Sequence, residues 1–156
     1  MSETEEFLAS VLPRLIAADT ALHNGDAAPR KALWSTTEPL TLFGAAMMTT
    51  GWPEIEATFD WLETRFSDCS SFDIEVVAAG ASGDLAYLVA FEHTTSSIGG
   101  KLPAPYTLRV TTVFRREAGA WKVVHRHADH LPDGGSAADR LSALQSTDGG
   151  ESRGPS

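Results

Sequence analysis

Cysteine is nearly absent: Cys69 is the only one in 156 residues, which excludes an intrachain disulfide. Its neighbours Asp68 and Ser70 supply no cation to lower the thiol pKa, so it reads as a loop or core residue rather than a nucleophile. Long apolar runs are missing too, and none approaches the length that crosses a bilayer. The acidic start, MSETEEFLAS, lacks the basic segment that opens a secretory signal. Bases are scarce beside acids, 12 against 21, for a net charge of −9. That balance repels phosphate backbones and anionic membrane surfaces, so neither nucleic acid nor membrane is an expected partner. No Gly-x-Gly-x-x-Gly, Walker sequence or Gly-x-Ser-x-Gly occurs. These absences point to a cytoplasmic protein that engages a small molecule or another protein.

What is present suits one domain with a real core: 42% of residues are apolar and 21% charged. Residues 2–24 carry Phe7, Leu8, Val11, Leu12, Leu15, Ile16 and Leu22 near helical spacing, behind a Ser2/Glu5 capping box. Pro13 predicts a kink there or a helix that starts near Ser10. Asn24-Gly25-Asp26 ends this helix, and Asp26 can cap a short second one through Leu33 or Trp34. Pro39 to Ala45 reads as a strand, followed by a loop holding Met47, Met48, Thr49 and Thr50. A third helix starts near Pro53, with Ile55, Phe59, Leu62 and Phe66 forming one apolar face that needs a sheet to cover.

That sheet follows. Stretches 72–80, 85–98, 105–117 and 120–131 are rich in Val, Thr, Phe and Tyr, with tight turns at Ser82-Gly83-Asp84 and Ala118-Gly119. Helices first and meandering strands after describe an α+β architecture with a cavity between a bent sheet and its helices. The expected domain is 1–132, and 133–156 is a polar tail, with a helical turn or two over 137–144 and disorder over 145–156.

Chemistry concentrates in the last strand, Trp121-Lys122-Val123-Val124-His125-Arg126-His127-Ala128-Asp129-His130. Strict alternation puts Trp121, Val123, His125, His127 and Asp129 on one face, apolar at one end and ionisable at the other. Alternation also allows Arg109 and Thr111 one shared face, and Glu92 another with Leu88 and Ala90. If these faces coincide, Glu92, Arg109, His125 and His127 meet in one cavity. Histidine, with an ordinary pKa of about 6.5, can then serve as base or acid, oriented by Asp129 or Glu92, while Arg109 stabilises an oxyanion. The alternative is a buried ion-pair network that sets strand register. Metal is disfavoured, since His-x-His is a weak motif and Arg126 and Arg109 oppose a dication. No cofactor is called for. Phe43, Trp52, Met48, Thr111 and Tyr87 are candidate ligand-lining residues, and His23, beside a helix end, reads as structural.

Asn24-Gly25-Asp26, Leu42-Phe43-Gly44, Gly51-Trp52, Leu108-Arg109-Val110-Thr111 and Trp121-Lys122-Val123-Val124-His125-Arg126-His127 together match a known pattern over roughly residues 5–132. The chain resembles SnoaL-like proteins of the nuclear-transport-factor-2-like superfamily, the ketosteroid isomerase homologues. The resemblance implies a cone of bent antiparallel sheet around three helices, a pocket inside it, and a homodimer formed through the sheet. It also puts Phe43 where ketosteroid isomerases carry their base and Thr111 where they carry the oxyanion aspartate, and the first helix holds no tyrosine. Steroid isomerisation by that route is therefore not expected. The association domain of calcium/calmodulin-dependent kinase ends in a similar Trp-x-x-x-His-x-His strand, and there the fold assembles oligomers.

Two readings follow. One is an isomerase-, cyclase- or lyase-type enzyme that moves a proton next to a carbonyl, acting on a carbonyl- or carboxylate-bearing organic molecule. The other is a non-catalytic binding or oligomerisation module with a structural Glu-Arg-His network.

Overall fold

The computed structural model describes residues 1–44, 47–132 and 134–150. Three helices precede the long strands: α1 (Glu3–Leu22), α2 (Ala28–Leu33) and α3 (Trp52–Glu63). Ser2 caps α1, its hydroxyl accepting from the Glu5 amide at 3.1 Å. α1 starts at Glu3 rather than near Ser10 and runs through Pro13 as one helix. Pro13 lies on the exposed side, so water can solvate the carbonyl it leaves unpaired. The N-cap of α2 is Ala27 rather than Asp26, and Asp26, one residue earlier, accepts from the Ala28 amide at 3.0 Å.

The strands are β1 (Thr41–Gly44), β2 (Met47–Thr50), β3 (Phe66–Ser82), β4 (Leu85–Ile98), β5 (Ala104–Glu117) and β6 (Ala120–His130). They form one sheet in the order β2-β1-β6-β5-β4-β3. The sheet is mixed rather than antiparallel throughout, because β1 pairs with β6 in parallel. Three further corrections concern boundaries. The Met47–Thr50 segment is a strand and not a loop, hydrogen-bonded to β1 as a hairpin. Phe66 opens β3 instead of extending α3, since Thr64 already caps that helix. Helix α4 (Ala137–Gly150) covers residues expected to be disordered from 145 onward. Ala45, expected in the first strand, and residues 151–156 lie outside the described residues.

Phe7 anchors the core, edge-on to Phe114 at 5.0 Å and to Trp121 at 5.3 Å. Val11, Leu15, Ala18 and Leu22 continue the buried stripe of α1 at helical spacing. Ala86, Leu88 and Ala90 of β4 and Phe114 of β5 answer them from the helix-covered face of the sheet. Among the described residues, no helix is long and apolar enough to cross a membrane.

Candidate functional site

The helices do not fill the space they enclose. A cavity of about 650 Å³ remains against the inner face of the sheet, within the usual range of small-molecule sites. Leu22, Leu42, Phe59, Phe66, Leu108 and Ala128 make most of its wall apolar. Gly44 lets β1 approach β6 closely there, since a Cβ at this position would sit 3.0 Å from the Ala128 carbonyl oxygen.

One end of the cavity is polar, and its buried arginines are paired with acids. Arg126 of β6 donates two parallel hydrogen bonds to Glu92 of β4, at 2.7 and 2.8 Å. This fork geometry is the strongest form of the pair. Burial alone would raise the Glu92 carboxyl, but Arg126 outweighs it and holds Glu92 below the usual carboxylate range. Beneath it, Arg30 of α2 pairs with Asp19 of α1, both buried. Desolvation, together with the charge of Arg126, brings the Arg30 guanidinium down to about 9.

His23 follows the last turn of α1 and faces this end. Its Nδ1–H donates to the Asp19 carbonyl oxygen at 2.6 Å, which leaves Nε2 to accept from the Tyr106 hydroxyl at 2.5 Å. Burial lowers the imidazole to about 4, with Glu92 opposing and Arg126 adding to the shift. His23 is thus neutral near pH 7, as the tautomer requires. Tyr106 is pushed above its ordinary value by burial, with Thr94 and Ser96 countering.

Of the residues singled out from sequence, Glu92 lines the cavity and Phe43 borders it. The convergence of Glu92 with Arg109, His125 and His127 does not occur. Val113 pairs with His125 while the next β5 residue, Phe114, pairs with Val123, so Val124 is an extra residue in β6. That bulge reverses the alternation. Trp121 and Val123 face inward before it; Arg126, Ala128 and His130 face inward after it. His125, His127 and Asp129 turn to the outer face, opposite Val113, Thr111 and Arg109 in register. There His125 is hydrogen-bonded to Thr41 at 2.6 Å, and His127 stands 3.4 Å from Asp129. The Phe43 ring packs against both imidazoles, at 5.8 and 6.4 Å.

The remaining candidates also lie elsewhere. Arg109 and Thr111 are exposed on the outer face of β5. Tyr87, on the outer face, covers Gly80, where a Cβ would meet its ring at 2.6 Å. Met48 is 82% exposed at the sheet edge, and Trp52 begins α3, packed on the core beside the cavity wall. Among the described residues, no group of three or more His, Cys, Asp or Glu side chains is placed to hold a metal.

Sequence reasoning missed Arg126, Tyr106, Arg30 and the Asp19–His23 turn. Asp19 left a signal, being an acid inside the apolar stripe of α1 and so in need of a buried cation. Arg126 left none, since its inward direction depends on the bulge.

The sequence matches the SnoaL-like domain family over residues 14–131. No curated protein matches it. Solved structures share the fold at low identity. A nuclear-transport-factor-2-like family protein from Streptomyces avermitilis is 20% identical with a TM-score of 0.71, covering 83% of this chain and 99% of that one. A nuclear-transport-factor-2-like superfamily protein from Salmonella enterica serovar Typhimurium is 18% identical with a TM-score of 0.69, covering 85% and 94%. A ketosteroid isomerase-like protein from Erwinia carotovora atroseptica is 20% identical with a TM-score of 0.64, covering 81% and 97%.

Proposed function

The chain belongs to the SnoaL-like domain family, and on that premise we propose that it binds a small, mainly apolar organic molecule in the cavity. The ligand's polar group faces Tyr106, Glu92 and Arg126. The observation that carries this reading is a largely apolar cavity with the buried Glu92–Arg126 pair and Tyr106 in its wall.

Binding without turnover fits the site better than proton transfer. A base for neutral pH needs a pKa near 7 and a free lone pair. Glu92 is held ionised with both oxygens engaged, and His23 has both nitrogens engaged and a pKa of about 4. His125 and His127 face away from the cavity. The proposal includes a cytoplasmic homodimer formed through the outer sheet face, where Val77, Leu85 and Tyr87 are exposed.

Native mass spectrometry of untreated protein, followed by a thermal-shift screen of carbonyl- and hydroxyl-bearing compounds, tests the binding. Ala128→Phe, which fills the cavity, is expected to remove any ligand-induced shift. Shifts that survive Ala128→Phe and a second filling change, Leu108→Trp, would place the ligand elsewhere and overturn the reading. Light scattering that shows a monomer at micromolar concentration would overturn the dimer.

A further inference from the structure

The cavity has two electrostatic zones. In the deep zone Arg30 and Arg126 are matched by Asp19 and Glu92, and His23 is neutral, so the buried cluster carries no net charge. At the mouth Arg65 and Lys101 line the opening, and neither has an ion-pair partner among the described residues. Arg65, just before β3, packs against the β4–β5 turn that carries Lys101, and both are exposed. The Gly99 amide donates to the Arg65 carbonyl at 2.7 Å, and a Cβ on Gly99 would sit 2.6 Å from Arg65 Nη2. The Ser97 hydroxyl donates to the Lys101 carbonyl just beyond. Two unmatched cations at one opening stand out in a chain of net charge −9.

We infer that the ligand is an amphiphilic organic anion bound in one direction: a neutral hydroxyl or carbonyl oxygen in the deep zone, an apolar body along the wall, and its negative charge at the mouth beside Arg65 and Lys101. This inference rests on the binding function proposed above. A carboxylate driven inward would add an unmatched charge to a buried cluster whose arginines are already engaged, which is costly. A neutral oxygen meets hydroxyl partners instead. Tyr106 is one, and the buried Ser96 Oγ lies close to it. At the solvated mouth an anion keeps much of its hydration while gaining two cations.

Isothermal titration calorimetry with three probes of equal length reads the direction: ω-hydroxydecanoate, decanediol and decanedioate. The hydroxy acid is expected to bind tightest, with the diol roughly fivefold weaker for loss of the mouth charge. The diacid, forced to bury one carboxylate, is expected to bind more weakly than the hydroxy acid. Arg65→Ala/Lys101→Ala should bring the hydroxy acid down to the diol with unchanged melting temperature, and about 0.5 M NaCl should do the same to the native protein. A diacid that binds as well as the hydroxy acid overturns the inference. So does a preference for the acid that survives the double substitution. If none of the three binds, this ligand class is wrong, while the binding function is still decided by native mass spectrometry and the cavity-filling variants.

Discussion

The two faces of the β4–β5–β6 sheet hold their charges in different ways. On the inner face, Glu92 and Arg126 are each about a tenth exposed and joined by two short hydrogen bonds. On the outer face His127 and Asp129 are roughly half exposed, 3.4 Å apart, and Arg109 projects into solvent opposite Asp129. Water does the work of a partner on the outside, so loose geometry is tolerated there. Inside, an ion without its partner has nothing to replace it, and each charge has been given one.

The contrast can be broken most sharply at Arg126. Arg126→Ala strands the Glu92 carboxylate, and a loss of about 3–5 kcal/mol in urea unfolding is expected. Replacing both partners, as Arg126→Met with Glu92→Leu, should recover much of that loss. A double variant as unstable as the single one would show that the pair is not an isolated unit.

Acid sharpens the same contrast. His23 sits at about 4 when folded and near its ordinary 6.5 when unfolded. The unfolded chain therefore binds the extra proton between those values, and stability falls as pH drops from about 6.5 toward 4, by up to about 3 kcal/mol. His23→Gln should flatten that slope. His125, lowered less by partial burial and by His127, should contribute a smaller part in the same direction. An unchanged pH profile in His23→Gln would contradict the buried neutral imidazole.

Smaller effects complete the series. Tyr106→Phe removes the donor to His23 Nε2, and about 1–2 kcal/mol of stability should go with it. Arg109→Ala, on the outer face, should change the stability of the single chain by less than about 0.5 kcal/mol, and a larger loss that grows with protein concentration would mark Arg109 as part of the proposed dimer contact.

Much of the fold was readable because it follows from short-range rules. The Ser2 cap, the stripe from Phe7 to Leu22, the Gly83 and Gly119 turns and the four long strands depend on local spacing and backbone preference. Met47–Thr50 was not readable as a strand, because it is four residues long and is held by pairing with β1 rather than by its own pattern. The parallel contact of β1 with β6 joins segments more than 80 residues apart, and no local signal reports it. Among the site residues Glu92 was legible, as an acid among inward-facing apolar positions of β4.

By itself, the sequence determined the α+β class, the acidic surface and the apolar faces that must meet in a core. Hydrophobic periodicity and charge count act along the chain and need no knowledge of what lies opposite. Only the tertiary structure decided which side chains of β6 enter the cavity. A single extra residue at Val124 shifts the register against β5, and with side chains alternating every residue, that one step exchanges His125 and His127 for Arg126.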